Sequence, residues 1–128
     1  MPPFIESNIQ KGKSGEDIAI SSLKRAGYRI VERNYRCLFG EIDIVARDAD
    51  TIVFLEVKSR RTGKFGAPQE AVGPAKQAKL SMIALNYLKQ KRLDTISARF
   101  DVVAVWMPPG GEFRAKIIKN AFDLKFGR

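Results

Sequence analysis

The chain has 128 residues, and 23 Lys and Arg against 14 Asp and Glu give it a net charge of +9. This length is typical of one domain, and 45% hydrophobic with 29% charged residues is a globular rather than a disordered composition. There is no histidine and only one cysteine, Cys37, which excludes histidine-dependent triads, His-ligated zinc, internal disulfides and cysteine-built metal clusters. Any catalytic chemistry must therefore use carboxylates, lysines, hydroxyls or a metal held by oxygen.

The positive charge is spread along the whole chain, with 12 Lys and Arg in residues 1–64 and 11 in residues 65–128. A basic folded domain favours a polyanionic partner, most simply nucleic acid, over a basic surface that is merely solvated. No apolar run approaches the roughly 20 residues that a membrane span needs, and the first residues do not resemble a secretory signal. We therefore expect a cytoplasmic protein that does not bind membranes.

The first third of the chain is predicted to hold a leader, a helix and a strand. Residues 1–13 lack periodicity and are predicted to form a flexible leader ahead of a single domain over residues 14–128. Ser14 and Asp17 have the spacing of a capping box, apolar residues then recur at helical intervals, and Gly27 is a C-terminal stop. The predicted elements are a helix over 14–26 and a strand over 28–34.

Two further strands form the predicted centre of the fold. The short turn between them makes them an antiparallel hairpin, and a basic segment with two glycines and a proline then predicts a mobile loop. A proline suited to a first helical turn opens the second helix. The predicted elements are strands over 40–47 and 51–58, a loop over 59–69, a helix over 74–91, and strands over 99–107 and 113–119. This α-β-β-β-α-β-β order predicts an α/β fold.

A hairpin turn centred on Ala49 and Asp50 would fix the pairing of the two central strands. One face would then be entirely apolar and is predicted to be core. Its pairs would be Ile42 with Val57, Ile44 with Leu55, and Ala46 with Val53. On the other face Asp43 would lie opposite Glu56, with Cβ atoms roughly 4.5–5.5 Å apart, and like charges so placed destabilise a sheet.

The repulsion between Asp43 and Glu56 requires compensation. A shared proton is one option, but a divalent cation is favoured, because Mg²⁺ takes oxygen ligands and is often held by one or two carboxylates with a substrate phosphate. Lys58 would point to the same face, where it could steady a phosphate or an attacking water, or pair with Glu41 opposite it. A structural charge cluster without a metal remains the alternative.

Asp43 followed 13 residues later by Glu56-Val57-Lys58 resembles the D…ExK signature of the PD-(D/E)xK nuclease superfamily. A fuller set of motifs resembles the bacterial YraN-like family of small predicted endonucleases, which is related to the archaeal Holliday-junction resolvases. The likeness covers residues 15–123. Its motifs are Gly15-Glu16, Gly27-Tyr28, Glu32-Arg33-Asn34, Gly40-Glu41-Ile42-Asp43, Phe54-Leu55-Glu56-Val57-Lys58-Ser59-Arg60, Phe65-Gly66 and Arg99-Phe100-Asp101-Val102-Val103.

The resemblance implies a restriction-endonuclease-like core, with a mixed central sheet flanked by helices, and a metal-dependent endonuclease. Asp43 and Glu56, with the carbonyl of Val57, would hold Mg²⁺ or Mn²⁺. Glu16 resembles the extra acid that many members place beside the metal, although any acid in a first helical turn also gains from the helix dipole. Lys58 would orient the attacking water or neutralise charge on the phosphate. Ile42 stands where the superfamily often has proline.

Six residues around the predicted site are candidates for contact with a nucleic-acid backbone: Arg33, Asn34, Arg36, Arg60, Arg61 and Lys64. For the first three, plain solvent exposure is an equal alternative. Lys76, Gln77 and Lys79 open the second predicted helix, where a solvated face is favoured over a role at the site. Asp101 is expected to be a partly buried acid paired with Arg99 or another cation.

DNA is the favoured substrate, and branched or damaged DNA is suggested by analogy with the resolvases. Two other functions stay open. One is a non-catalytic accessory module that binds nucleic acid on the same fold, and the other is a nuclease directed at RNA. Resolvases act as dimers, so a homodimer is expected by analogy, although nothing in the sequence marks an interface.

Overall fold

The computed structural model describes residues 14–61 and 72–123, in which two helices and five strands form one sheet-centred fold. The predicted leader over 1–13, most of the predicted basic loop and Lys64 lie outside the described residues. The elements are α1 (Gly15–Arg25), β1 (Arg29–Cys37), β2 (Gly40–Asp48), β3 (Thr51–Arg60), α2 (Pro74–Gln90), β4 (Ala98–Trp106) and β5 (Arg114–Phe122).

Helix α1 begins at the predicted capping box. The Asp17 backbone N–H donates to Ser14 Oγ over 3.2 Å, and the Ser14 N–H donates to the Asp17 carboxylate over 3.3 Å. Both bonds satisfy donors that the first turn of a helix leaves without intrahelical partners. The helix ends at Arg25, and Gly27 follows with a φ of 97°, a left-handed conformation that glycine adopts at little cost. The predicted start and stop of this helix are thus confirmed.

The five strands lie in the order β1-β2-β3-β4-β5, and α2 makes the crossover between β3 and β4. Strands β3 and β4 are parallel and the other neighbours are antiparallel, so the sheet is mixed, as the resemblance implied. Ser59 and Arg60, predicted to begin a loop, instead extend β3 and pair with Val105 and Trp106. Within the described ranges, neither helix is both long and apolar enough to cross a membrane.

The sheet carries a hydrophobic core on each face. One core packs α1 against residues such as Ile44 and Ala46, and the other packs α2 against residues such as Ile42, Val45 and Phe54. The prediction that Ile42 shares a face with Ile44 and Ala46 is therefore wrong. The central strands are covered by a helix on each side, which makes both of their faces apolar and weakens alternation as a guide to facing.

The predicted hairpin register is confirmed near the turn. In the part of the chain that the structure describes, the ladder of β2 with β3 runs from Asp48 with Thr51 to Ile44 with Leu55 and ends there. Ala49 in the turn has a φ of 54°. The three direct pairs predicted beyond that point, Asp43 with Glu56, Ile42 with Val57 and Glu41 with Lys58, are absent from this ladder, because the two strands separate before they reach the acids.

Asp101 is the charged residue at the centre of a second polar cluster. It is 1% exposed, accepts from the Tyr28 hydroxyl over 2.8 Å, and pairs with Arg99 over 2.9 Å. The Asn120 backbone N–H donates to it over 2.9 Å, at the point where the β4–β5 ladder shifts register. Burial and the Asp101 carboxylate raise the pKa of Tyr28, and the hydrogen bonds to Asp101 raise that of Arg99. The expected pairing of Asp101 with Arg99 is confirmed.

Replacing Asp101 by alanine should destabilise the fold strongly. The Asp101→Ala variant leaves the Tyr28 hydroxyl and the Asn120 N–H without this acceptor and leaves the Arg99 guanidinium with Asp48 as its remaining carboxylate, and breaking such a buried pair costs about 3–5 kcal/mol. The Asp48→Ala variant removes the partly exposed second partner of Arg99 and should cost about 1 kcal/mol or less. Urea unfolding of both variants checks this, and equal losses would contradict the central role given to Asp101.

Candidate functional site

Asp43 lies where β2 and β3 separate, just beyond the pair of Ile44 with Leu55. Its carboxylate replaces the missing ladder contact, since the Val57 backbone N–H donates to Asp43 Oδ2 over 2.8 Å. The bond fixes the side chain of Asp43 against the strand that carries Glu56 and Lys58. The three residues of the D…ExK signature thus share one opening in the sheet.

Asp43 is a partly buried carboxylate with three other acids near it. Burial raises the pKa of Asp43, the hydrogen bond from Val57 lowers it, and the negative charges of Glu56, Glu16 and Glu41 raise it further, with an upward shift overall. A raised carboxylate pKa means that the folded protein disfavours the ionised form. The ionised carboxylate of Asp43 is therefore kept at a cost to the fold.

Glu16 reaches the opening because α1 begins directly against the end of β3. A Cβ atom on Gly15 would lie 1.9 Å from Ser59 Oγ, so only glycine permits this approach without a shift of the serine. Arg33 on β1 then holds the start of the helix, donating over 3.0 Å to Glu16 and over 2.8 Å to Asp17. The capping box and this close contact together position Glu16.

Asn34 links Glu16 to Glu41. Carboxylates only accept hydrogen bonds, so the amide nitrogen of Asn34 must face them. In that orientation it donates to Glu41 Oε2 over 2.9 Å and to Glu16 Oε2 over 3.1 Å. Asn34 has a φ of 55°, a left-handed conformation that asparagine tolerates better than most residues. This backbone turn of β1 brings its side chain to the acids.

Two lysines neutralise Glu56. Lys58 Nζ lies 3.8 Å from Glu56 Oε2, and Lys76 Nζ, from the first turn of α2, forms an ion pair and a hydrogen bond with the same oxygen. The Glu56 side chain is 14% exposed and that of Lys76 is 51% exposed. The carboxylate is therefore held between one ammonium on its own strand and one that reaches over from the helix.

The carboxylates at the opening fit a metal site that is completed by substrate and water better than a site built from protein ligands alone. In residues 14–61 and 72–123 no three Asp, Glu or Cys side chains are arranged to hold a metal ion by themselves. Asp43 and Glu56 supply two carboxylates, and the raised pKa of Asp43, caused first by burial and then by neighbouring acids, shows that its ionised form is disfavoured there. One or two carboxylates completed by substrate phosphate and water is the arrangement that Mg²⁺ commonly takes.

The candidate residues for nucleic-acid contact fall into different environments. Arg33 and Asn34 are engaged with the acids of the site. Arg36 is 76% exposed and lies 3.7 Å from Glu41, while Arg60 ends β3 and Arg61 follows it in an exposed position. Arg33, Asn34, Arg36 and Arg61 are thus all exposed, and the first two are also engaged with the acids of the site.

Glu41 and Lys76 belong to the site more closely than their sequence positions predicted. Glu41 was expected opposite Lys58, and Lys76 on a solvated helix face. One signal was available for Lys76, because a cation in the first turn of a helix opposes the helix dipole and α2 has no acid there to offset it. A lysine placed against that preference suggests a contact elsewhere.

Comparison with known sequences places the chain in a family. The model of "Uncharacterised protein family UPF0102" matches residues 15–105. The chain belongs to this family. The UPF0102 protein of Syntrophus aciditrophicus is 61% identical over 121 residues, 94% of each chain. That of Geotalea daltonii is 49% identical, covering 93% of this chain and 94% of the relative, and that of Caldicellulosiruptor saccharolyticus is 46% identical, covering 87% and 95%. The resemblance to the YraN-like family is thereby confirmed.

Among solved structures, SfsA of Pyrococcus furiosus in complex with Ca²⁺ is similar with a TM-score of 0.41 and 16% sequence identity. The alignment covers 88% of this UPF0102 family member and 63% of the SfsA chain. The chain thus spans less than two thirds of that protein's length.

Neutralising Asp43 should stabilise the metal-free protein. Because the pKa of Asp43 is raised on folding, its ionised form weakens the fold at neutral pH, and stability from this group is gained as the pH falls through the folded pKa. The Asp43→Asn variant keeps an acceptor for Val57 and should raise the free energy of unfolding by about 0.5–2 kcal/mol. Urea unfolding at neutral pH in EDTA measures the change.

The exposed Glu112 offers a matched control, and Glu112→Gln should stay within about 0.5 kcal/mol of the wild type. A lower unfolding midpoint for Asp43→Asn than for this control would show that the carboxylate is compensated in the folded state.

Proposed function

We propose that the protein is a metal-dependent nuclease that hydrolyses phosphodiester bonds, with DNA as the favoured substrate. The observation that carries the proposal is the convergence of Asp43, Glu56, Glu16 and Lys58 at the opening between β2 and β3, where burial and neighbouring carboxylates raise the pKa of Asp43. Glu16 and Glu56 are paired with cations, whereas Asp43 accepts a hydrogen bond from the uncharged Val57 N–H. Mg²⁺ or Mn²⁺ would relieve the cost of keeping the Asp43 carboxylate ionised in this partly buried position.

Asp43 and Glu56, with the carbonyl of Val57, are the residues that would hold the cation. When bound, such a cation supplies Lewis-acid chemistry to phosphodiester hydrolysis. The Val57 N–H keeps the Asp43 carboxylate in place, so little reorganisation is needed to bind. Glu16, fixed by Arg33 and Asn34, would orient water at the edge of the site.

Lys58 is the residue proposed to act on the substrate itself. Its ammonium lies 3.8 Å from Glu56 and is partly exposed, so it can face both the carboxylate and an incoming phosphate. A positive charge placed there stabilises the negative charge that develops on the phosphate during hydrolysis. This role of Lys58 requires no histidine, and the sequence contains none.

The excess positive charge supports a nucleic-acid substrate. The net charge is +9, and the exposed Arg36 and Arg61 lie on the elements that lead into and out of the site. Contacts of this kind fix a phosphate backbone without selecting a sequence. A preference for branched or damaged DNA, a cytoplasmic location and a homodimer stay predictions.

Cleavage assays test the proposal directly. Duplex, flap, four-way and single-stranded DNA, with matched RNA, are incubated with Mg²⁺ or Mn²⁺ and the wild-type protein. We expect metal-dependent cleavage of at least one DNA substrate, which Asp43→Asn and Glu56→Gln each reduce by roughly two orders of magnitude or more, as loss of a group acting on the transition state does.

Variant activity equal to the wild type would assign the cleavage to a contaminant or another site. Salt-sensitive binding without cleavage of any substrate would favour the non-catalytic accessory module instead. Cleavage confined to RNA would favour the RNA-directed nuclease. Glu112→Gln, which removes a remote acid, should cleave as the wild type does.

The role of Lys58 predicts a separation between turnover and metal binding. Lys58→Ala should lower the single-turnover rate by roughly 10²–10³-fold, because a charge acting on the transition state is lost. It should not weaken the binding of Mn²⁺, since the carboxylates remain. Quench-flow kinetics and calorimetric titration measure the two quantities, and an equal loss of both would contradict a direct role on the phosphate.

A further inference from the structure

Lys76 forms an ion pair with Glu56, one of the two carboxylates that would hold the proposed metal. It lies in the first turn of α2, and its ammonium pairs with Glu56 Oε2, the oxygen that also faces Lys58. Lys58 is fixed to the same strand as Glu56, two residues further on, whereas Lys76 reaches across from a different element. The two ammonium groups therefore differ in how readily they can leave.

The placement of Lys76 is unfavourable for the helix itself. The first turn of α2 presents the positive end of the helix dipole, the N-cap residue Gly73 makes no side-chain cap, and no acid lies in that turn. The side chain is half exposed, so it is not needed to fill a core. The contact with Glu56 is the interaction that offsets this placement.

A divalent cation and the Lys76 ammonium compete for one position. Both are attracted to the same carboxylate, and a cation bound between Asp43 and Glu56 would lie within a few ångströms of the ammonium in a partly buried site, where repulsion between charges is weakly screened. The side chain of Lys76 is long and its outer part is exposed, so it can withdraw to solvent without disturbing the helix.

We propose that Lys76 is a tethered counter-ion, which neutralises Glu56 while the site lacks a divalent cation and is displaced when one binds. It is a positioning residue that sets the metal affinity of the site through Glu56. This inference rests on the proposed function only in that it requires a cation at Asp43 and Glu56. Resting protein is thereby protected from the full repulsion among its carboxylates, and the metal must outcompete a built-in positive charge.

Titration with Mn²⁺ tests the proposal without any nucleic acid. Isothermal calorimetry compares the wild type with Lys76→Met, Lys76→Arg and Lys79→Met. Lys76→Met should bind Mn²⁺ roughly ten-fold more tightly, because the competing charge is gone. Lys76→Arg keeps the charge and should bind no more tightly than the wild type. Lys79→Met removes an exposed charge one turn further along α2 and should match the wild type, which controls for net charge.

Urea unfolding gives a second readout. In EDTA, Lys76→Met should unfold at a lower urea concentration than Lys79→Met, since Glu56 has lost its counter-ion. In saturating Mn²⁺ the order should reverse, because tighter ligand binding stabilises the folded state.

Three results would overturn the proposal. Equal Mn²⁺ affinity in Lys76→Met and the wild type would overturn it and leave the proposed function standing. Weaker binding in Lys76→Met would make Lys76 an aid to the metal rather than a competitor. If none of the proteins binds Mn²⁺, both the counter-ion role and the proposed metal-dependent function fail.

Discussion

The hydrogen bond from the Val57 N–H to the Asp43 carboxylate is the interaction on which the candidate site depends. The ladder between β2 and β3 ends at Ile44 with Leu55, which leaves the Val57 donor facing an opening in the sheet. A buried backbone donor without a partner is costly, so the carboxylate that satisfies it is held firmly. The chain thereby turns the end of a ladder into a fixed position for a negative charge.

Elements on both faces of the sheet then bring further charges to that position. Helix α1 supplies Glu16 from one side, where Gly15 allows contact with Ser59, and α2 supplies Lys76 from the other. Arg33 on β1 secures Glu16. Each charge belongs to a different element, so the site can form only when the sheet and both helices are assembled. The proposed metal binding should accordingly be coupled to folding of the whole domain.

Local patterns in the sequence were sufficient for the elements and for the hairpin near its turn. The capping box of Ser14 with Asp17 is a contact over three residues, and the pairing of Ile44 with Leu55 follows from a two-residue turn. The facing of Ile42 could not be predicted in the same way. It depends on where the strands separate and on the helices that cover both faces, which are properties of the tertiary structure.

The contacts of the candidate site also divide into those that the sequence predicts and those that depend on the tertiary structure. The D…ExK spacing predicts that Asp43, Glu56 and Lys58 lie together because they are on one hairpin. The predicted direct pairing of Asp43 with Glu56 is wrong. The contact of Lys76 with Glu56 spans a crossover whose geometry no spacing rule gives. The first turn of α2 carried a weak signal, a cation without an acid to offset it, and it becomes informative only when the neighbouring strand is known.

The two charged clusters of the sheet show that the chain can satisfy a buried acid where stability alone is at stake. Asp101 is almost fully buried and is bonded by a hydroxyl, a guanidinium and a backbone N–H. At the opening between β2 and β3, burial first and then the charges of Glu56, Glu16 and Glu41 raise the pKa of Asp43, so the fold disfavours the ionised form of this acid. Local arrangements that oppose stability while the rest of a fold is consistent are typical of functional sites. The contrast within one sheet therefore supports the proposal that Asp43 and Glu56 bind a cation.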